Sequence, residues 1–315
     1  MRGVTAKIAA PNERPVHPSP VRWFQRHGRV FVWANLMGQM LIIVTGGLVR
    51  LTGSGLGCST WPMCEPGQFT PVAHQATTYH PFVEFGNRTI SGVLVAIALA
   101  VLLAVWTDST RTRAYRMLGL VPLIGVLAQA IIGGITVLAH LNPAIVGFHM
   151  FISIALVAFS AYLVARHNEG DGRPVATVDI VTARITRAVA TWLGVVVCLG
   201  VIVTGSGPHS GDDEVAYRFA LDPAAMARAH AGTVWILIIA LAMLSIRLLR
   251  GPAAPHGPLR KSVAAIWVIV LVEGAVGYTQ YFTGLPWGLV AVHMALAALL
   301  TAAAIFAVTA TRTRA

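Results

Sequence analysis

The sequence predicts an all-α integral membrane protein with eight transmembrane helices arranged as two pseudo-symmetric four-helix bundles. Of the 315 residues, 56% are hydrophobic and only 11% are charged, and the mean hydropathy is +0.71. A water-soluble domain does not have this balance. Eight apolar stretches are long enough to cross roughly 30 Å of hydrocarbon at about 1.5 Å per residue. In addition, the second half of the chain repeats sequence features of the first half.

The eight predicted spans alternate with segments of very different charge. Of the 23 Lys and Arg residues, 19 lie on one side of the predicted membrane. The positive-inside rule therefore predicts that both termini lie in the cytoplasm. Because these basic residues are spread between apolar runs, the expected partner is the lipid bilayer and not nucleic acid. The spans are predicted at residues 30–50, 82–106, 115–138, 145–165, 185–205, 226–249, 262–283 and 288–310.

Domain boundaries follow from the repeat and from the placement of proline and glycine. The first 29 residues contain four prolines and lack the order of a signal peptide, which predicts a disordered cytoplasmic tail. Glycines and a proline mark a linker between the halves. The predicted units are the tail 1–29, the N-terminal half 30–166, the cytoplasmic linker 167–184, the C-terminal half 185–311 and a cytoplasmic tail 312–315.

The internal repeat is clearest in the last two helices of each half. Residues 127–150 align with 271–294 at a constant offset of 144, which pairs His149 with His293. Earlier in the halves, IVTGG at 43–47 resembles VIVTGSG at 201–207, and Asn87 corresponds to His230. An even number of helices separates the copies, so the two halves are predicted to run parallel.

Three intramembrane histidines are the candidate metal ligands. His149, His230 and His293, together with Asn87, each follow a proline by six or seven residues, so all four lie at one depth below the outer helix ends. His230 and His293 are predicted to supply both axial ligands of a haem iron. In the first half, the position that would face His149 is occupied by Asn87 and not by a histidine. This predicts an open or water-ligated position there. Packing histidines are the alternative, but buried polar groups in membranes are costly.

Two carboxylates fall within predicted spans. Glu84 lies one turn from Asn87 and shares a helical stripe with Arg88, so it is either a proton carrier beside the open position or the partner of that arginine. Glu273 occupies the repeat position of Gln129, and its role is left open between function and structure. Four basic residues on the outer side indicate pairing with an anionic ligand, and we expect Arg88 and Arg228 to contact haem propionates; the other two are Arg50 and Arg218.

Cysteine placement agrees with this topology. Cys58 and Cys64 lie six residues apart in the first outer loop, on the oxidising side of a bacterial membrane, where a disulfide persists. Two free thiols or a metal-binding pair are the alternatives.

Several strings taken together resemble the haem A synthases of the bacterial oxidase-assembly type. The match covers essentially the whole membrane portion, and the first-loop string is its most specific part. The matching strings are GGLVRLTGSGLGCSTWPMC (46–64), EFGNR (84–88), FHM (148–150), VTGSGPHSGDD (203–213), ARAHAG around His230 and VHM (292–294).

This resemblance implies an activity and a set of roles. Similar proteins convert haem O to haem A, for cytochrome c oxidase assembly, by two successive hydroxylations of the C8 methyl group; the geminal diol then loses water to leave a formyl group. The resemblance implies a resident haem b on His230 and His293, substrate haem O facing His149, an essential Glu84, and a disulfide between Cys58 and Cys64. A haem O synthase is the expected partner, together with an electron-transfer partner that the sequence does not identify.

The chain differs from the resembling proteins at two places, and two other classes of protein are alternatives for its function. Relatives commonly have His where this chain has Asn87, and some carry a second cysteine pair in the region 206–225, which has none here. A dihaem b-type electron-transfer cytochrome is one alternative function, although it would favour four histidines. A haem transporter is the other, because parallel repeats are ordinary among transporters.

Overall fold

The computed structural model describes residues 20–72, 78–212, 214–215, 217–251 and 253–315. These residues form ten helices and two short strands. In chain order they are α1 (Pro20–Arg26), α2 (Gly28–Leu51), α3 (His80–Trp106), α4 (Arg113–Leu118), α5 (Leu120–Leu138), α6 (Pro143–Asn168), β1 (Val175–Ala176), α7 (Ile180–Ser206), α8 (Pro223–Arg250), α9 (Ala253–Phe282), α10 (Trp287–Thr309) and β2 (Arg312–Thr313).

Within the described ranges, eight helical segments are long and apolar enough to cross a membrane. They correspond to the eight predicted spans, with α4 and α5 forming the third span across a break at Gly119. The prediction of an all-α, multi-pass membrane protein is therefore confirmed.

Polar side chains and prolines explain where several spans begin. Asn142, Asp179 and Asp222 each cap a helix by accepting hydrogen bonds from backbone N–H groups of its first turn. Proline follows two of these caps as Pro143 and Pro223, at the first helical position, where its missing N–H leaves no intrahelical bond unmade. The prolines used as depth markers in the sequence therefore do mark helix starts.

Each half contains its own apolar core, and one helix contributes to both. The C-terminal core is built from α7, α8, α9 and α10. The N-terminal core is built from α2, α3, α6 and Tyr115 of α4, and it also includes Ala298 and Ala302 of α10. Helices α2, α6, α7 and α10 consequently meet at the boundary between the halves.

The turns before α6 and α10 have the same backbone conformation, 144 residues apart. Leu141 and Leu285 both adopt positive φ, at 58° and 60°. Their N–H groups donate to Thr136 O and Gln280 O respectively, each at 2.8 Å. The sequence repeat is thus also a repeat of local structure here, and the symmetry of the complete halves stays a prediction.

The expected tails and linker show further structure. Residues 1–19 of the predicted tail lie outside the described residues, whereas Pro20–Arg26 form a helix that contacts α3. In the linker region, α6 continues to Asn168 and α7 starts at Ile180, while β1 between them pairs antiparallel with β2 of the C-terminal tail. The linker and the C-terminal tail therefore support each other.

Candidate functional site

One large cavity extends between the two halves. Its volume is about 1740 Å³ and its lining is mainly apolar. The cavity is lined by every histidine, asparagine and carboxylate singled out within the spans, namely Glu84, Asn87, His149, His230, Glu273 and His293. Arg88 and Arg228 line it as well.

His230 and His293 face each other in the second half. Their ring centroids are 6.3 Å apart and the ring planes are tilted by 75°. Metal–imidazole bonds of about 2 Å to one atom between the rings are compatible with this separation. The Nδ1 atom of His230 lies 3.0 Å from Val196 O, and a histidine that donates one ring N–H to a backbone carbonyl keeps the other nitrogen free for a metal.

Glycines on neighbouring helices leave room for the histidine rings. A Cβ atom on Gly200 would lie 3.3 Å from Cε1 of His230, and one on Gly277 would lie 3.3 Å from Cε1 of His293. In the first half, a Cβ on Gly133 would lie 3.5 Å from Cε1 of His149. The separation would be tight at Gly200 and Gly277 and ordinary van der Waals contact at Gly133, so the first two glycines permit a close approach of backbone to an imidazole ring.

Glu273 lies behind His293. Its Oε1 atom is 3.4 Å from Nδ1 of His293, and a carboxylate in this position can orient a histidine whose other ring nitrogen binds a metal. In the first half Gln129 takes this place, and its Nε2 donates to His149 O at 3.0 Å and to Ser153 Oγ at 2.5 Å. Glu273, whose role the sequence leaves open, therefore lies next to a predicted haem ligand.

The histidine of the first half has a different environment. The ring Nδ1 of His149 is buried and has no hydrogen-bond partner. Asn87 accepts a hydrogen bond from Thr45 Oγ1 at 2.8 Å, and Gly46 lies beside its amide. An amide held by a threonine is a weak iron ligand, so the two halves present different ligand sets to the cavity.

These contacts correct the repeat register that was proposed for α2 and α7. The sequence strings pair Gly46 with Gly205, but the glycine beside His230 is Gly200, whereas Gly205 packs against Phe219. The cavity-lining positions agree with the same shift of 154 residues, for example Arg50 with Thr204. The IVTG strings are therefore similar in sequence but do not occupy equivalent places.

Glu84 and Arg88 form an ion pair that supports the first outer loop. Arg88 Nη2 lies 2.5 Å from Glu84 Oε1, and Glu84 Oε2 accepts a hydrogen bond from the backbone N–H of Cys58 at 2.7 Å. Arg88 also donates to Thr60 O at 3.0 Å and Met63 O at 3.2 Å. Glu84 therefore pairs with Arg88, as one of the two alternatives for its role requires. Both side chains also line the cavity.

The first outer loop is closed by a disulfide between Cys58 and Cys64, with both residues fully buried. The disulfide expectation is therefore confirmed. The loop also contributes Trp61 and Pro62 to the cavity lining, so the bond fixes part of the cavity wall.

The outer basic residues differ in how firmly they are held. Arg228 is exposed, and its guanidinium lies 3.9 Å from the carboxylate of Asp222. Arg50 instead donates to His209 O at 2.8 Å and Thr204 O at 3.0 Å, and it lines the cavity. Sequence reasoning counted Arg50 among the outer cations but did not place it in the site; its position on α2 one turn beyond Gly46 was the available signal.

Among the described residues, no three His, Cys, Asp or Glu side chains form a group able to hold a metal ion. The facing pair His230 and His293 instead suits an iron whose other ligands come from a porphyrin. Their free ring nitrogens, their glycine neighbours and the volume beside them fit a bound haem.

Comparison with known proteins identifies the family. Residues 29–305 match the model of the family described as cytochrome oxidase assembly protein. The chain is similar to proteins named Heme A synthase from Lysinibacillus sphaericus (33% identity, 44% of each chain), Bacillus pumilus (35%, 39% of each) and Alkalihalophilus pseudofirmus (26%, covering 57% of this chain and 59% of the relative). The first of these alignments spans less than half the length of the relative.

Proposed function

Because this chain belongs to the cytochrome oxidase assembly protein family, we propose that it is a haem A synthase, which oxidises the C8 methyl group of haem O to the formyl group of haem A. Two successive hydroxylations give a geminal diol, and loss of water leaves the aldehyde. The observation that carries this proposal is the cavity shared by a facing pair of histidines in one half and a single histidine in the other.

In the second half, His230 and His293 would hold a resident haem b. A b-type haem in this position supplies one-electron transfer. The chain's own contribution is to orient both imidazoles: the Val196 carbonyl fixes the ring of His230, and Glu273 lies behind that of His293. Gly200 and Gly277 leave the room that the two rings occupy.

In the first half, His149 would face the iron of substrate haem O, with Asn87 on the side of the open position. The apolar cavity wall would hold the macrocycle and limit access of water to it. Arg228 and Arg88 are the proposed contacts of the propionates; Arg228 has the freer guanidinium, because Arg88 already contacts the loop carbonyls.

Glu84 would move protons or position an oxygen species near the reacting methyl group. It is buried, it lines the cavity, and hydrogen bonds from Cys58 N and Arg88 fix its carboxylate. Such fixation suits a group that exchanges a proton at a defined place.

The proposed topology has both termini in the cytoplasm, supported by the distribution of Lys and Arg and by a disulfide on the opposite side. A haem O synthase would supply the substrate, and a separate electron-transfer partner would exchange electrons with the haem b.

The test is chromatography of haems extracted from cells that co-express this chain with a haem O synthase. We expect haem A in addition to haem O, and haem O alone in cells without this chain. Accumulation of haem O alone in cells that contain the folded, haem-loaded protein would contradict the proposal and favour an electron-transfer cytochrome or a transporter.

A further inference from the structure

The inner part of the first half contains buried polar side chains deep in an otherwise apolar bundle. Asn35 of α2 is fully buried, Gln39 one turn further along is 2% exposed, and Ser160 of α6 is 1% exposed. Ser153, two turns from Ser160 on α6, is also buried. Polar groups are costly in the hydrocarbon region unless neighbours or water satisfy them.

The equivalent positions of the second half are apolar. The shift of 154 residues that pairs Gly46 with Gly200 also pairs Asn35 with Val189 and Gln39 with Leu193. Both of these residues are buried in the C-terminal core. With the offset of 144 between α6 and α10, Ser153 and Ser160 correspond to Ala297 and Ala304. Equivalent places in the same fold therefore accept apolar side chains, so packing alone does not require the polar ones.

Some of these polar side chains are hydrogen-bonded to one another, but several of their buried polar atoms have no partner. Asn35 donates to Ser160 Oγ at 2.8 Å, and Gln129 donates to Ser153 Oγ at 2.5 Å. Asn35 Oδ1, Gln39 Nε2 and Gln129 Oε1 are buried without a hydrogen-bond partner. Buried polar atoms of this kind are normally satisfied by ordered water.

The polar residues extend from the cavity towards the proposed cytoplasmic face. Gln39, Gln129 and Ser153 line the cavity, as His149 does, and Gln129 and Ser153 both donate hydrogen bonds to His149 O. At the other end, His167 lies two turns beyond Ser160 on the same face of α6, and its Nδ1 is 2.7 Å from the hydroxyl of Tyr115. A histidine and a phenol are both groups that can take up and release protons.

We propose that Asn35, Gln39, Gln129, Ser153 and Ser160 line a hydrated path that carries protons between the cytoplasmic end of the first half and the substrate cavity. This inference rests on the proposed function, because oxidation of the methyl group exchanges protons at the site. With water as the oxygen source, R–CH3 + H2O gives R–CH2OH + 2 H+ + 2 e−; with dioxygen, R–CH3 + O2 + 2 H+ + 2 e− gives R–CH2OH + H2O. Either balance moves two protons per step.

The path also explains why the positions of Asn35, Gln39, Ser153 and Ser160 are polar only in the first half. In the second half, which would transfer electrons through haem b, the equivalent positions are apolar, whereas Gln129 corresponds to Glu273. On the outer side, both carboxylate oxygens of Glu84 are already engaged by Arg88 and Cys58. A separate inner route would supply or remove the protons that Glu84 exchanges at the site.

The test replaces Gln39 by the residue of its counterpart and by a polar residue of similar size. Gln39→Leu should lower haem A formation by roughly tenfold or more, because leucine removes the hydrogen-bonding group that holds water. Gln39→Glu should retain most of the wild-type haem A formation. The remaining rate of Gln39→Leu should also show a larger solvent deuterium isotope effect than the wild-type rate.

Thr186→Val is the matched control, since it likewise removes a buried polar side chain and installs the residue of its counterpart, Val32. It should leave haem A formation unchanged, and all variants should keep the haem b spectrum. Equal haem A formation by wild type and Gln39→Leu would overturn the path, whereas absence of haem A in the wild type would instead overturn the proposed function. A purely structural role of Gln39 predicts the opposite order, with Leu tolerated and Glu harmful.

Discussion

At the scale of single residues, the three cavity histidines are held differently. His230 contacts Val196 O, Glu273 lies behind His293, and Nδ1 of His149 has no hydrogen-bond partner. The positions of His149, His230 and His293 relative to prolines placed them at one depth, and all three line one cavity. The contacts of Arg88 could not be predicted, because they depend on the path of the disulfide-closed loop whose carbonyls it binds. Local sequence carries no information about which loop carbonyl faces a helix.

The buried Glu84 provides a test at this scale. Glu84→Gln keeps the size of the side chain and one oxygen acceptor but removes the exchangeable proton and the charge. If Glu84 handles protons at the site, haem A formation should fall by about 10²-fold or more, while the haem b spectrum stays as in wild type. Chromatography of extracted haems and an optical spectrum of the same sample measure both quantities.

Arg88→Ala separates this role from the ion pair. That variant removes the partner of Glu84 but keeps the carboxylate, so it should retain more activity than Glu84→Gln if the carboxylate itself exchanges protons. Near-normal haem A formation by Glu84→Gln would remove Glu84 from the mechanism.

At the scale of elements, hydropathy placed the eight spans, but it could not set the register between α2 and α7. The strings IVTGG and IVTGS suggested one alignment, whereas the position of Gly46 beside Asn87 and of Gly200 beside His230 requires another. Similar strings arise easily in apolar helices because few residue types are used there. Contacts across the bundle, which the sequence does not display, decide the register.

The helix ends that are proposed to face the cytoplasm contain an ion-pair cluster that the sequence did not reveal. Asp171 accepts hydrogen bonds from Arg111 at 3.0 Å and from the backbone N–H of Thr112 at 2.6 Å, and it pairs with Arg166. Burial alone would raise the pKa of Asp171, but these hydrogen bonds outweigh it and hold the pKa well below its usual range. The cluster adjoins the strands β1 and β2, because Gly172 donates to Ala315 O at 2.9 Å.

This cluster predicts a pH dependence. Because the folded pKa of Asp171 is lowered, its contribution to stability is complete above about pH 4 and is lost as the pH falls towards the folded value. Asp171→Asn should therefore lower the thermal unfolding midpoint in detergent at pH 7 and reduce its loss on acidification. Glu214→Gln, at an exposed outer position, should leave the midpoint unchanged. Equal midpoints for wild type and Asp171→Asn at pH 7 would refute the stabilising role.

At the scale of the whole molecule, the two halves contribute different residues to the lining of their common cavity. The second half offers two facing histidines beside Glu273, and the first offers His149 with Asn87 and a set of polar side chains. The repeat in the sequence predicted this difference through the pair Asn87 and His230. The sharing of α10 between both cores was not predictable, because it depends on how the halves pack against each other.

The central claim is that the halves divide two haems between them, with haem b in the second and substrate haem O in the first. The most direct measurement is the optical and electron paramagnetic resonance spectrum, with haem extraction, of His293→Ala and His149→Ala purified from cells that produce haem O. We predict that His293→Ala loses the low-spin haem b, whereas His149→Ala keeps that signal and loses bound haem O. Loss of the same haem in both variants, or an unchanged low-spin signal in His293→Ala, would contradict the account.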